Sequence, residues 1–197
     1  MKVLSKHKRS NGFSLIELLV VVSILGTLSA IAVVNLSRSW TSSRLLSTTR
    51  DLENWLSDQR RFAMNNNHTC RVSIDHDNKR LISTIDGSQE STPCAGNASA
   101  PNAGVFDLAS GFGKGNEKIT LLSTPSTDEE HSGGGIRFSF RGFSQNHQLS
   151  EEGLLELRVI HKDLSRQRCI RIISPIGMMR DGYAEGTSSP CRYDKTY

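Results

Sequence analysis

The chain has 197 residues, enough for one domain with a hydrophobic core and an additional N-terminal segment. Its formal net charge at pH 7 is +4, but Lys2, Lys6, Lys8 and Arg9 account for the whole excess, and the rest of the chain is neutral. This distribution argues against a body that binds polyanions through bulk charge alone.

The first predicted element is a hydrophobic helix. From residue 13 to residue 34 the only ionisable side chain is Glu17. At about 1.5 Å per residue, a helix of this length spans a hydrocarbon layer of about 30 Å. Because the basic residues precede it, we expect a single-pass helix with its N-terminus in the cytoplasm and the rest of the chain across the membrane.

An ordinary secretory signal peptide is the alternative interpretation. Ala30, Ile31 and Ala32 form an A-x-A cleavage site, and the segment before them is basic and then apolar, so a secreted soluble protein stays open. Two features oppose this interpretation. The apolar run is longer than most signal peptides require, and an acid at mid-membrane costs about 2.5–3.5 kcal/mol on insertion scales.

Cleavage between Gly12 and Phe13 would explain the acid. Phe13 would gain a free α-amine, and Glu17 would lie one helical turn from the new N-terminus, where the helix dipole favours a carboxylate. A carboxylate buried among packed helices needs a partner, and the terminal amine of a neighbouring chain is a suitable one. The acid then sets how helices align beside one another.

The stretch "GFSLIELLVVVSILGTLSAIAVVNLSRS" resembles the leader and first helix of type IV pilins and type II secretion pseudopilins. The resemblance implies that residues 1–12 are a leader, removed by prepilin peptidase between Gly12 and Phe13. It also implies N-methylation of Phe13, with Glu17 as the assembly acid. Many major pilins have a proline where this chain has Val34, so the helix need not kink there.

The helix is expected to continue through residues 35–66 with one apolar stripe. Helical spacing connects Leu45, Leu52, Trp55, Leu56, Gln59, Phe62 and Ala63, and Asn65-Asn66-Asn67 predicts the end of the helix. The stripe is interpreted as core that packs on a following domain. The expected fold class is therefore α+β, with a long N-terminal helix packed on a C-terminal antiparallel β domain.

Residues 67–197 are expected to form this β domain outside the inner membrane, in the periplasm. Strands are predicted at "TCRVSI", "RLISTI", "KITLL", "GIRFSF", "LLELRVI" and "RCIRIIS". Residues 86–116 are rich in Gly, Ser, Asn and Pro and predict a long loop, and residues 175–197 predict a C-terminal tail.

The ordered segments "GIRFSFRGFS", "GLLELRVI" and "RCIRIISPIGMMR" are similar to the minor subunits of the GspH, FimT and FimU group. This resemblance implies a low-copy structural subunit that primes or caps filament assembly. Its implied partners are other pilins or pseudopilins and the assembly platform of the inner membrane. The resemblance does not choose between a type IV pilus and a type II secretion pseudopilus.

Four cysteines are present and none has C-x-x-C spacing, which disfavours a zinc site. In an oxidising compartment disulfides are expected, and four cysteines allow three pairings. Proximity in sequence favours Cys70 with Cys94 and Cys169 with Cys191. Closure of a loop of this size stabilises a fold by about 3 kcal/mol.

DNA is a further candidate partner. Some FimT-type minor pilins bind DNA through a Gly-Arg-x-Arg segment, and the matching residues here begin at Gly177 and end at Arg180, with Met178 in place of the first arginine. A phosphate-binding surface would be formed by Arg166, Arg168, Arg171, Arg180 and Arg192. The alternative is a solvated, arginine-rich edge strand that discourages strand pairing with other chains.

Enzyme signatures are not found. The stretch "GFGKG" at residues 111–115 lacks the spacing of a phosphate-binding loop, and neither G-x-S-x-G nor H-E-x-x-H occurs. Asp75, His76 and Asp77 are interpreted as a solvated turn. We therefore expect no catalytic residue, no cofactor and no metal.

Overall fold

The computed structural model describes residues 13–87, 92–95, 103–112, 117–124, 135–146, 154–186 and 189–193, without the side chains of residues 30–35, 145 and 146. The expected leader, residues 1–12, lies outside the described residues, as does much of the predicted loop 86–116. The elements in chain order are α1 Leu15–Asn66, β1 Cys70–Asp75, β2 Arg80–Ile85, β3 Val105–Asp107, β4 Ile119–Thr124, β5 Ile136–Phe138, β6 Ser144–Asn146, β7 Leu154–His161, β8 Arg166–Ile173 and β9 Met178–Glu185.

Helix α1 has a recognisable signal at each end. At the start, Ser14 Oγ accepts a hydrogen bond from the Glu17 backbone N–H at 3.4 Å, which is the Ser-x-x-Glu arrangement of a capping box. At the end, Asn67 has a φ of 56°, and the His68 N–H bonds the Ala63 carbonyl at 3.2 Å. This is the left-handed C-terminal cap that glycine or asparagine adopts most easily, and it explains why the helix ends in the asparagine run.

The chain divides into two compact units between Ser39 and Trp40. In the first unit large apolar side chains are exposed, with Phe13 81% exposed before the helix and Leu15 82% exposed at its start. No helix in the described part of the chain combines the length and the apolar character that a membrane crossing needs.

In the second unit, the helix from Trp40 onward packs on two antiparallel sheets. Their strand orders are β3-β2-β1-β5-β6 and β4-β7-β8-β9. The stripe expected from the sequence faces the core, with Leu52, Leu56 and Ala63 fully buried, and Thr48 and Thr49 are buried beside it. They meet inward residues of both sheets, such as Phe138 and Ile170. The α+β fold class predicted from the sequence is confirmed.

Three strands were not predicted. Strand β3 lies inside the segment expected to be a loop, β6 follows the turn after β5, and β9 lies inside the segment expected to be a tail. The prediction was wrong at these places because β3 and β6 have only three residues each, and β9 contains Asp181 and Gly182, which strands disfavour. All three depend on pairing with strands that the sequence did reveal.

Candidate assembly site

The start of α1 carries an exposed acid, Glu17. It lies in the first turn of the helix, where unpaired backbone N–H groups make the helix end electropositive. Its backbone N–H bonds Ser14 Oγ, while no described cation lies within ion-pair distance of its carboxylate. Among the described residues, the carboxylate is therefore not engaged in an ion pair.

The helix that follows is apolar on every side. Beyond Phe13 and Leu15, large exposed side chains continue at Ile16, Leu18, Leu19, Val20, Val21, Val22, Ile24, Leu25 and Leu28. Large apolar side chains exposed in such number mark a surface that contacts other apolar groups. An acid at one end of such a helix needs a compensating cation in an apolar environment.

Residues 7–33 carry the prokaryotic N-terminal methylation motif. The match contains Gly12, Phe13 and Glu17, and it confirms for this segment the pilin-superfamily resemblance that the leader indicated. It says nothing of the β domain, since it covers only the beginning of the chain.

One solved structure similar to this chain is that of the minor pseudopilin EpsH from the type 2 secretion system of Vibrio cholerae. The two share 14% sequence identity with a TM-score of 0.47, and the similar region covers 69% of this chain and 93% of EpsH. No curated protein matches the sequence.

Outside the methylation motif, the arginines expected to bind phosphate lie on both faces of the second sheet. Arg166 and Arg168 lie on the same face of β8 as the core residue Ile170, and their cross-strand neighbours on β9 are Glu185 and Tyr183. Arg166 contacts both of these neighbours, at 3.4 Å from Glu185 Oε1 and 5.1 Å from the Tyr183 ring centroid.

Arg168 is half-buried on this face of the sheet. Burial lowers its pKa from the ordinary value, nearby Arg166 and Arg50 lower it further, and Asp181 opposes them. Glu53 on the helix belongs to the same surroundings, and burial together with Asp181 raises its pKa. This face of the sheet therefore mixes acids with arginines, which weakens its potential for a polyanion.

Arg171 lies on the opposite face of β8 and holds the C-terminal segment. Its guanidinium lies 3.9 Å from the Tyr193 ring centroid and 3.5 Å from Glu156 Oε2. The Tyr193 hydroxyl donates to Glu156, and burial together with that carboxylate raises the pKa of Tyr193. Arg158 completes the cluster, with Nε at 2.6 Å from Glu156 Oε1 and Nη1 donating to the Ser189 carbonyl at 3.1 Å.

The remaining predicted DNA contacts lie on β9, in the tail and in the β8–β9 turn. Arg180 is exposed opposite Arg171, and Arg192 is exposed where the tail pairs with Tyr183 of β9. Gly177 is buried in the β8–β9 turn with a φ of 69°. The arginines therefore do not form one surface, and Arg171 has a structural partner in the tail.

The four cysteines form two disulfides, Cys70–Cys94 and Cys169–Cys191, with Cα–Cα distances of 5.9 and 6.3 Å. These are the pairs that proximity in sequence favoured. Cys169, Cys191 and Glu156 lie close together, but the disulfide removes both sulfurs as metal ligands.

Arg60 is an organising residue that the sequence did not reveal. From α1 it donates to three carbonyl oxygens: Nε to Gly142 at 2.7 Å, Nη2 to Ile176 at 2.9 Å and Nη1 to Gly177 at 3.3 Å. It therefore ties the helix to the β5–β6 turn and to the β8–β9 turn. No local sequence pattern predicts this role, because the carbonyl acceptors of Arg60 lie 82 to 117 positions further along the chain.

Proposed function

We propose that this chain is a minor, low-copy structural subunit of a type IV pilus or a type II secretion pseudopilus. The observation that carries the proposal is the methylation motif at residues 7–33, with Glu17 in the first turn of an apolar helix. On this proposal prepilin peptidase cuts between Gly12 and Phe13, and the new terminus of Phe13 is N-methylated.

Glu17 acts in assembly by charge compensation. When helices pack side by side in a filament, the carboxylate meets the terminal ammonium of a neighbouring subunit, so that neither charge is buried alone. The contact is strong only in the correct axial register, since ion pairs in an apolar medium weaken quickly when their geometry is poor. An exposed Glu17 without a described cation partner supports this role.

Before assembly the chain resides in the inner membrane through residues 13–34, with its N-terminus in the cytoplasm and the β domain in the periplasm. The assembly platform then extracts it into the filament, where it primes or caps the structure with other subunits. Two disulfides and no free cysteine support a domain outside the reducing cytoplasm.

The test is a Glu17→Ala variant expressed with the other subunits of its filament system. We expect normal cleavage and normal amounts in the membrane, with loss from the sheared filament fraction, because the variant keeps the helix but cannot compensate the neighbour's amine. Asp58→Ala is the matched control, since Asp58 is an exposed acid of the same helix.

Mass spectrometry of the native chain provides the second measurement. A mature form beginning at methylated Phe13 is expected. A chain beginning at Val33 would identify an ordinary signal peptide and a secreted protein, and filament incorporation of Glu17→Ala at the control level would remove the proposed role of the acid.

A further inference from the structure

A small apolar surface lies around the end of α1, on the two turns that Arg60 ties to the helix. We call it the turn surface, and it consists of Met64, Phe140, Phe143 and Ile176, bordered by Arg60 and Arg141. The helix and the β5–β6 turn touch here so closely that a Cβ on Gly142 would lie 2.7 Å from Met64 Sδ.

Hydrogen bonds hold this surface in one conformation. The Gly142 N–H bonds the Ser139 carbonyl at 2.9 Å and closes the first turn. The first turn is joined to the second where the Ser144 N–H bonds the Pro175 carbonyl at 2.9 Å and Ser174 Oγ donates to the Ser144 carbonyl at 2.7 Å. A rigid surface loses little conformational entropy on binding, which favours its use for recognition.

The apolar side chains of the turn surface are each at least 40% exposed. Phe140 and Phe143 are 45% and 47% exposed, Met64 is 40% exposed and Ile176 is 59% exposed. Single exposed apolar residues are common on soluble domains, but a cluster of them marks a contact site. Phenylalanine, methionine and arginine are also the residue types enriched in the cores of protein interfaces.

The positive charge of Arg141 and Arg60 indicates the chemistry of the partner. Arg141 stacks on the Phe140 ring at 5.4 Å, and among the described residues no carboxylate lies within ion-pair distance of Arg141 or Arg60. Binding of nucleic acid depends on several cations that reach phosphates, whereas Arg60 is already bonded to three carbonyls. An acidic protein segment fits this surface better than a polyanion.

We propose that the turn surface docks another subunit of the same filament, which contributes an apolar segment that carries a carboxylate. The apolar side chains of the partner cover the two phenylalanines, and its carboxylate pairs with Arg141. This inference rests on the proposed filament function, and it adds a contact made by the β domain to the contacts of the N-terminal helix.

Site-specific photocrosslinking in the full chain tests the inference. In three separate variants, a benzophenone amino acid replaces one exposed residue. Phe143 tests the turn surface, Leu122 on the second sheet is a control of similar exposure, and Val21 tests contacts of the apolar helix. In native membranes and sheared filaments we expect an adduct between the Phe143 position and another subunit. Mass spectrometry should map it to a segment with apolar residues and an Asp or Glu, and the Leu122 position should give no such adduct.

A charge reversal provides the second measurement. Arg141→Glu should lower the yield of the Phe143 adduct by about tenfold, because it places like charges across the contact. Arg61→Glu should leave the yield unchanged, because Arg61 is an exposed helix arginine with a 71% exposed side chain that pairs with Asp58.

Comparing crosslinks at Val21 and at Phe143 distinguishes failure of the docking proposal from failure of the proposed filament function. If the Val21 position crosslinks to other subunits and the Phe143 position does not, the docking proposal is overturned and the filament function stands. If neither position crosslinks to a subunit, both are overturned. A Phe143 adduct with nucleic acid or lipid alone, or a yield insensitive to Arg141→Glu, also overturns the docking proposal.

Discussion

Replacement of Arg60 by alanine should destabilise the β domain far more than loss of a surface charge does. Its guanidinium makes hydrogen bonds of 2.7, 2.9 and 3.3 Å to the carbonyls of Gly142, Ile176 and Gly177. Hydrogen bonds to charged groups contribute about 1.5–3 kcal/mol each when buried, and the contribution falls when the group is partly solvated. Because Arg60 is only partly buried, we take about 1 kcal/mol for each bond, or about 3 kcal/mol in total.

The variant loses more than these bonds, since two turns no longer have a common anchor on the helix. We expect the free energy of unfolding to fall by about 2–4 kcal/mol, with the midpoint of thermal unfolding lower by about 6–12 °C. Arg60→Lys should recover only part of the lost free energy. It keeps the positive charge, but an ammonium cannot reach three carbonyls in the planar geometry of a guanidinium.

Urea unfolding of the full chain in detergent measures the difference, with tryptophan fluorescence as the signal. Trp55 packs on Phe106 with ring centroids 5.8 Å apart, so its emission reports the integrity of the domain. Arg61→Ala is the control, since its ion pair with Asp58 is 3.9 Å long and well exposed, and exposed pairs contribute about 0–1 kcal/mol. A loss for Arg60→Ala no larger than that for Arg61→Ala would refute the anchoring role.

Two further predictions concern the tail and a buried histidine. A Cβ on Gly182 would lie 2.5 Å from the Arg192 carbonyl oxygen. Gly182→Val should therefore displace the tail and lower the free energy of unfolding, measured by thermal unfolding, by about 1–3 kcal/mol. Arg180→Ala, an exposed position on the same strand face, is the control and should be near neutral. Burial holds the pKa of His161 below its usual value, Asp163 opposes that shift and Lys118 adds to it. The unfolded chain therefore binds more protons than the folded chain, so the free energy of unfolding should fall as the pH drops below about 6.5. In His161→Phe this free energy should fall less steeply with pH. Equal pH dependence in the two proteins would contradict the role of His161.

Sheet edges show how the domain limits pairing with other chains. The outer edge of β9 is occupied by the tail, where Tyr183 and Arg192 exchange two main-chain hydrogen bonds. The outer edge of β4 is met by His76, whose Nδ1 lies 3.0 Å from the Leu121 carbonyl oxygen. The sequence predicted a solvated turn here, but His76 is half-buried and contacts this edge strand.

The sequence by itself predicted the long N-terminal helix of this protein. The basic residues, the apolar run and Glu17 are contiguous in the sequence, and helix length, charge placement and helix ends depend on neighbouring residues. The same holds for the helix end at the asparagine run and for strands such as β7, where buried and partly exposed side chains alternate strictly.

Only the tertiary structure decided the roles that depend on residues distant in sequence. Strand β9 exists because β8 offers it eight paired positions, although its own residues favour a turn. The arginines of β8 are close neighbours in sequence, yet the pleat sends Arg168 toward the helix and Arg171 toward the tail. Arg60 is one charge among several on the helix until folding brings two turns to it, because contacts between distant segments are set by packing, which a local pattern does not encode.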